Sequence, residues 1–365
     1  MTAPPPQTKL PTGPGNTPDL QIEQLRSSGQ LPSPKGVALA IMEICRRDDA
    51  SLDEIANIVQ TDPALTSRLL QFANSAGRGG GGRPFVSVRE AVLRLGMDIV
   101  RQLAVGFSLV DQYQGGPCEA FDYAHFWSHA LLMAVASQAL AKQSRLGSPD
   151  ELFTCGLLAR IGCLALATVH PVEYSRLLTD CPDEGDLTAL EEARLQTSHN
   201  AFTAVILADC GIPRALAEPI CHHEVPEAAG FVEGSRPQQM VQLFHHARRI
   251  ADMGLAPEDK RGALISELFV LGGKLGLDGT EIGELVDRIL AGWREWSEFL
   301  KVPARRLPPF ASMAQAPAPK SPELKTMRMR VLLVEDEPTA RVLLEAQLRS
   351  LAGPDVYCAA NGEEA

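Results

Sequence analysis

Apolar residues along most of this chain recur at three- and four-residue intervals, the spacing of one face of an α-helix. Ile55, Ile58 and Val59 form one such stripe, and Leu65, Leu69 and Phe72 a second. Val92 and Leu95 continue the pattern, as do Leu152, Leu157 and Leu158. Many of the stripes follow a helix-start signal. Ser51-Leu52-Asp53-Glu54 and Ser87-Val88-Arg89-Glu90 read as capping boxes, and Ser148-Pro149-Asp150-Glu151 combines a box with a proline at the first helical position. Asp62-Pro63 offers a side-chain acceptor followed by the same kind of proline. Two late segments, about 258–275 and 280–301, are also amphipathic. The second carries Ile282, Leu285, Val286, Ile289, Leu290, Trp293, Trp296 and Leu300 on a broad apolar face, read as packing against the core or, alternatively, as a homodimer or partner interface.

The pattern changes only near the end. Val331-Leu332-Leu333-Val334 reads as a strand, Glu335-Asp336 as an acidic pair at its carboxyl end, and Pro338 as a helix start. A second strand is expected at 355–360. One strand–helix–strand unit is too small to bury its own faces, so further chain is expected beyond Ala365.

Prolines mark the segments without periodicity. Of 27, eight precede Val37 and six fall between Pro303 and Pro322. Residues 1–19 are expected to be a disordered tail and 303–326 an extended Pro/Ala-rich linker. The loop Gly77-Arg78-Gly79-Gly80-Gly81-Gly82-Arg83 follows a helix and precedes Pro84-Phe85. A phosphate-binding loop would follow a strand and end in Gly-Lys-Ser/Thr, so a flexible surface connection is expected.

Composition narrows the function. A net charge of −11 opposes general nucleic-acid or anionic-membrane binding, which needs clustered Lys and Arg. The run from Leu152 to Val169 is the most apolar, but Arg160 interrupts it, so no transmembrane helix is expected. Eight cysteines occur without a C-x-x-C pair, and the amino terminus lacks the apolar core of a signal peptide. Both features suit a cytoplasmic protein.

Several short stretches are similar to one family. Leu31-Pro32-Ser33-Pro34, Asp62-Pro63-Ala64-Leu65, Phe72-Ala73-Asn74-Ser75 and the run from Val88 to Gly96 resemble the first lobe of HDOD domains. Phe126-Trp127-Ser128-His129, the run from Gly156 to Gly162, and Cys221-His222-His223 resemble the second. The resemblance covers about residues 25–255. It implies an all-helical, two-lobed relative of the HD metal-dependent phosphohydrolases, generally non-catalytic and found in bacterial signalling proteins.

In HD enzymes a first His, an adjacent His-Asp pair, and later His and Asp residues bind divalent metal. His129 falls at the first position, Ala159 and Arg160 fall where the pair belongs, and His199, His222 and His223 fall where later histidines belong. Arg248 falls at the final Asp. Alanine donates no ligand and arginine is permanently cationic. These vestigial positions therefore imply the fold without the enzyme or a metal cofactor; the alternative is a phosphohydrolase or phosphodiesterase with a rearranged site. His125 and His129 share a face like the histidines of H-E-x-x-H, but Phe126 stands where the general base would be. His245 and His246, being neighbours, are expected to straddle the edge of a buried face.

The carboxyl-terminal pattern, closing on Asn361-Gly362-Glu363-Glu364-Ala365, resembles the start of a response-regulator receiver. The resemblance implies a partial doubly wound α/β unit at 327–365, with Glu335 and Asp336 binding Mg²⁺ in an intact domain and a sensor histidine kinase as partner. The phospho-accepting aspartate would lie after the third strand, past Ala365. The expected organisation is a tail (1–19), a mainly α HDOD-like domain (20–255), a helical extension (256–302), a linker (303–326) and the partial receiver, with unidentified signalling proteins as binding partners.

Overall fold

The computed structural model describes residues 22, 25, 27, 30–47, 49–76, 85–181, 187–315, 330–334 and 355–359. The Gly-rich loop and the acidic pair Glu335-Asp336 lie outside the described residues. The chain divides into two units, Met1–Gln315 and Ala316–Ala365.

The first unit is helical. Its opening lobe comprises α1 (Val37–Cys45), α2 (Leu52–Val59), α3 (Pro63–Ala76), α4 (Val88–Leu95) and α5 (Met97–Gln112). The caps form largely as the sequence suggests. Ser51 Oγ accepts from the Glu54 amide at 3.1 Å, and Asp62 Oδ1 accepts from the Ala64 and Leu65 amides at 2.9 and 3.0 Å. Ser87 Oγ accepts from the Glu90 amide at 3.5 Å.

The second lobe comprises α6 (Tyr123–Ser144), α7 (Pro149–Leu158), α8 (Ile161–Val169), α9 (Pro171–Asp180), α10 (Leu187–Leu195), α11 (His199–Asp209), α12 (Arg214–Cys221) and α13 (Arg236–Leu255). Pro149 opens α7, but Ser148 makes no side-chain cap bond, contrary to the expected box. Asp150 instead turns its carboxylate to Gln102 on α5 and Gln138 on α6, at 3.1 and 2.9 Å, tying three helices together.

Helix α6 is the hub, packing on α7, α13 and α15 (Gly279–Leu300). Its stretch Phe126–Ser137 is buried without a break, as befits a helix surrounded by others. Two glycines allow backbone-close crossings. A Cβ on Gly156 would lie 2.7 Å from Ser137 Oγ and 2.9 Å from the Ala134 Cα, so α7 lies directly against α6. A Cβ on Gly162 would overlap the His199 carbonyl, and the Gly162 amide donates to Thr203 Oγ1 at 3.0 Å, so α8 lies directly against α11. The apolar run Pro149–Val169 is thus two helices broken at Ala159-Arg160. Among the described residues it alone is long and apolar enough to cross a membrane, and it is 89% buried within the fold.

Helices α14 (Glu258–Lys274) and α15 close the unit. A full capping box starts α15: Asp278 Oδ1 accepts from the Thr280 and Glu281 amides, and Glu281 accepts from the Asp278 amide. The apolar face of α15 turns inward. Trp293 is fully buried, and the Trp296 ring lies 5.0 Å from Phe72 of the first lobe and 4.6 Å from Phe153 of the second. This face stitches the lobes together.

Residues 303–315 differ from the expected extended linker. They continue across the helices and end in α16 (Phe310–Gln315), with Val302, Phe310 and Met313 buried. The prolines shape this stretch without detaching it, because Phe310 and Met313 share one apolar side.

In the second unit, β1 (Arg330–Val334) and β2 (Asp355–Ala359) pair in parallel, in register from Arg330 against Asp355 to Val334 against Ala359. Parallel neighbours cannot be joined by a tight hairpin, which distinguishes this pair from two strands of a meander.

Candidate functional site

Four of the positions singled out by the HD pattern, His129, Arg160, His199 and Arg248, converge on a buried chain of charges. Helix α6, capped by the Asp122 side chain on the His125 amide at 2.9 Å, carries exposed His125 and, one turn on, buried His129. His129 Nε2 donates to Asp252 Oδ1 on α13 at 2.8 Å. The other Asp252 oxygen accepts from Arg249 at 2.8 Å and faces Arg248 at 3.9 Å. Burial opposes the charge of Asp252, but the hydrogen bond from His129 and the two arginines hold its carboxyl far below the ordinary carboxylate range.

Ala159 and Arg160 form the break between α7 and α8, where Arg160 adopts φ −117° and ψ 20°. Ala159 is fully buried. Arg160 Nε lies 3.3 Å from Glu224 Oε1, and Arg248 Nη2 lies 3.7 Å from the same oxygen. Glu224 Oε2 accepts from His199 Nε2 at 3.1 Å. His199 Nδ1 donates to Glu191 Oε2 at 2.6 Å, and Tyr174 donates to Glu191 Oε1 at 3.1 Å.

A network thus runs from Tyr174 through Glu191, His199 and Glu224 to two arginines, and on through Asp252 to His129. Burial works against the charge of Glu224, yet His199, Arg160 and Arg248 hold it well below the usual carboxylate range. Burial likewise works against a charged His199, but Glu224 and Glu191, each accepting from one ring nitrogen, hold it well above ordinary imidazole. Each ring nitrogen of His199 thus faces a carboxylate, an arrangement that favours the imidazolium form.

His222 and His223 part company. The His222 ring stacks edge-on against Phe231 at 6.0 Å, outside the network. His223 is buried; its Nδ1 donates to the Ile220 carbonyl at 2.5 Å, and its Nε2 has no hydrogen-bond partner among the described residues. Burial pushes its pKa down to about 3, so it is neutral. His246 is buried and bridges the Gln242 and Leu271 carbonyls, while His245 donates to the His223 carbonyl at 2.9 Å.

Two hollows flank the network. One of about 170 Å³ is lined by Phe121, His125, Phe126, His129, Arg160 and Tyr174. The other, of about 620 Å³, touches Ser198, Asn200, His222, Glu224 and Arg248.

The sequence pattern placed Arg248 at the final acidic position. The acidic group that meets His129 is Asp252, one turn later on α13, and Arg248 bridges the two halves of the network. Glu224, Glu191 and Tyr174 were missed. Glu224 directly follows His222-His223, and Arg248 and Asp252 stand four apart on one helix; these were the available signals. The donor set does not suit a divalent cation. Ala159 offers no ligand, and two guanidinium groups already compensate Glu224. Among the described residues no cluster of three or more His, Cys, Asp or Glu is placed to hold a metal.

Residues 31–226 match the HDOD domain family. The fold is similar to that of a candidate phosphohydrolase from Shewanella amazonensis SB2B, 23% identical, with a TM-score of 0.59, covering 77% of this chain and 97% of that one. The chain is 36% identical to the MmoQ response regulator of Methylococcus capsulatus str. Bath, over 68% of this chain and 95% of that one, with a TM-score of 0.45. An uncharacterized protein of Treponema pallidum (strain Nichols) is 27% identical over 209 residues, 54% of this chain; the chain spans 38% of that relative's length. With the matched segment covering more than half of its residues, the chain belongs to the HDOD domain family.

Proposed function

We propose that this chain is a non-enzymatic, cytoplasmic signalling module that acts by binding other proteins. Its second unit is read as the beginning of a receiver domain, which would govern the helical module when phosphorylated by a sensor histidine kinase, with Glu335 and Asp336 holding Mg²⁺. The observation that carries the non-enzymatic reading is the Arg160–Glu224–Arg248 arrangement. A metal-dependent hydrolase needs a compact set of neutral and anionic donors around a dication. Here a fixed guanidinium stands at the centre of that set, and the nearest carboxylates are already compensated. The parallel pairing of β1 with β2 is what a strand–helix–strand receiver start requires.

Elemental analysis of the full chain, dialysed without chelator, tests the reading. The expected result is no stoichiometric transition metal and no Mn²⁺-dependent phosphodiester hydrolysis. Close to one metal per chain, lost on His129→Ala, would overturn it in favour of a rearranged HD-type phosphohydrolase.

A further inference from the structure

The segment after α15 is fastened to the helices that carry the charged network. Lys301 turns the chain with a left-handed backbone, φ 53°. The Pro303 carbonyl then accepts from Ser128 Oγ on α6 at 2.6 Å. Arg305 Nε donates to the Gly254 carbonyl on α13 at 3.1 Å. Farther along, the Phe310 amide donates to Asp287 Oδ1 on α15 at 2.8 Å, and its buried ring lies 5.5 Å from Phe269 on α14.

The two polar anchors bracket one feature. Ser128 immediately precedes His129, and Gly254 lies two residues after Asp252. The 2.8 Å bond from His129 to Asp252 joins the same two helices, within two residues of each anchor in sequence. The helices cross closely there, because a Cβ on Gly254 would overlap the Leu132 side chain of α6. Such a contact leaves little slack, so a displacement of either helix is felt at the pair. A segment serving only to cover apolar surface would have no need of polar bonds to both helices at this level.

We infer that Val302–Gln315 is a regulatory strap: load on the chain beyond Gln315 passes through Arg305 and Pro303 to the crossing of α6 and α13, and release of the strap frees His129 from Asp252. This deepens the signalling reading by naming a route into the helical module. Its test needs no phosphorylation, so the strap and the receiver reading fail separately.

The experiment uses the full 365-residue chain, with amide hydrogen exchange followed by mass spectrometry and ¹⁵N spectra of labelled histidine imidazoles. Arg305→Ala and Phe310→Ala are compared with Arg306→Ala as an exposed control. Both strap variants are expected to speed exchange about tenfold in 303–315 and also in 125–132 and 249–256, with the His129 ring signals shifted and α1 and α2 unchanged. Faster exchange confined to 303–315, with His129 unmoved, would overturn the inference and leave the segment a cover. No change anywhere would overturn it equally. Should Phe310→Ala fail to fold, Arg305→Ala and Ser128→Ala carry the same comparison.

Discussion

At the scale of single residues, two buried histidines have opposite electrostatic settings. His223 is held neutral, with its pKa pushed down to about 3 by burial, while His199 is held charged between two carboxylates. Unfolded, both titrate near about 6.5. Below that value the unfolded chain binds a proton at position 223 that the folded chain refuses, so His223 stability is lost as pH falls. The contribution from His199 is complete below 6.5 and is lost as pH rises through its raised folded value. Between pH 7.5 and 5.5 the two slopes oppose each other. His223→Gln is expected to leave a protein whose urea midpoint rises on acidification across that window, revealing the His199 slope that His223 had opposed. Glu224→Gln weakens the hold on His199 and should tilt the profile the other way. The same change leaves Arg160, Arg248 and His199 short of a counter-charge and is expected to lower stability by roughly 3–5 kcal/mol, read by urea denaturation at pH 7.

At the scale of elements, the helices were legible and their side-chain partnerships were not. Caps such as Asp62-Pro63 and stripes such as Ile282 to Trp293 are written within a few residues, so periodicity and capping chemistry expose them. The full box at Asp278-Gly279-Thr280-Glu281 was equally readable and was overlooked. Arg160 was legible as a charge interrupting an apolar run. That it meets Glu224 was not, because 64 positions separate them and only the packing of α8 on α11, and of α11 on α12, brings them together. The strap misled for a different reason: proline density suggested a free linker, while the buried pair Phe310 and Met313, three apart, carried the contrary signal. Close helix crossings yield a sharper expectation. Gly162→Ala should push α8 off the His199 carbonyl and cost about 1–3 kcal/mol, the range of an overpacked core. Gly262→Ala on α14, where an added Cβ meets open space, should instead raise the melting temperature, worth about 0.5–1 kcal/mol in helix propensity. Thermal unfolding of the two variants gives opposite signs if the crossing is as tight as described.

For the whole molecule, the helical unit extends as far as Gln315. A fragment ending at Val302 would uncover the surfaces on α14 and α15 that hold Phe310 and Met313. Full burial of a Phe side chain is worth about 2–3 kcal/mol. The shorter fragment should therefore unfold at lower urea and bind a hydrophobic dye, while a fragment ending at Gln315 should match the full chain in both measurements. The break at Ala159-Arg160 reaches beyond the folded state. During synthesis, Pro149–Val169 leaves the ribosome before α11 or α13 exists to cover it, and for that interval it is a 21-residue greasy segment in a cell full of lipid. A lone arginine near its midpoint adds roughly 2.5–3.5 kcal/mol to the free energy of bilayer insertion. The arginine that meets Glu224 in the finished protein thus also biases the newborn chain away from the membrane and toward waiting for its own partners.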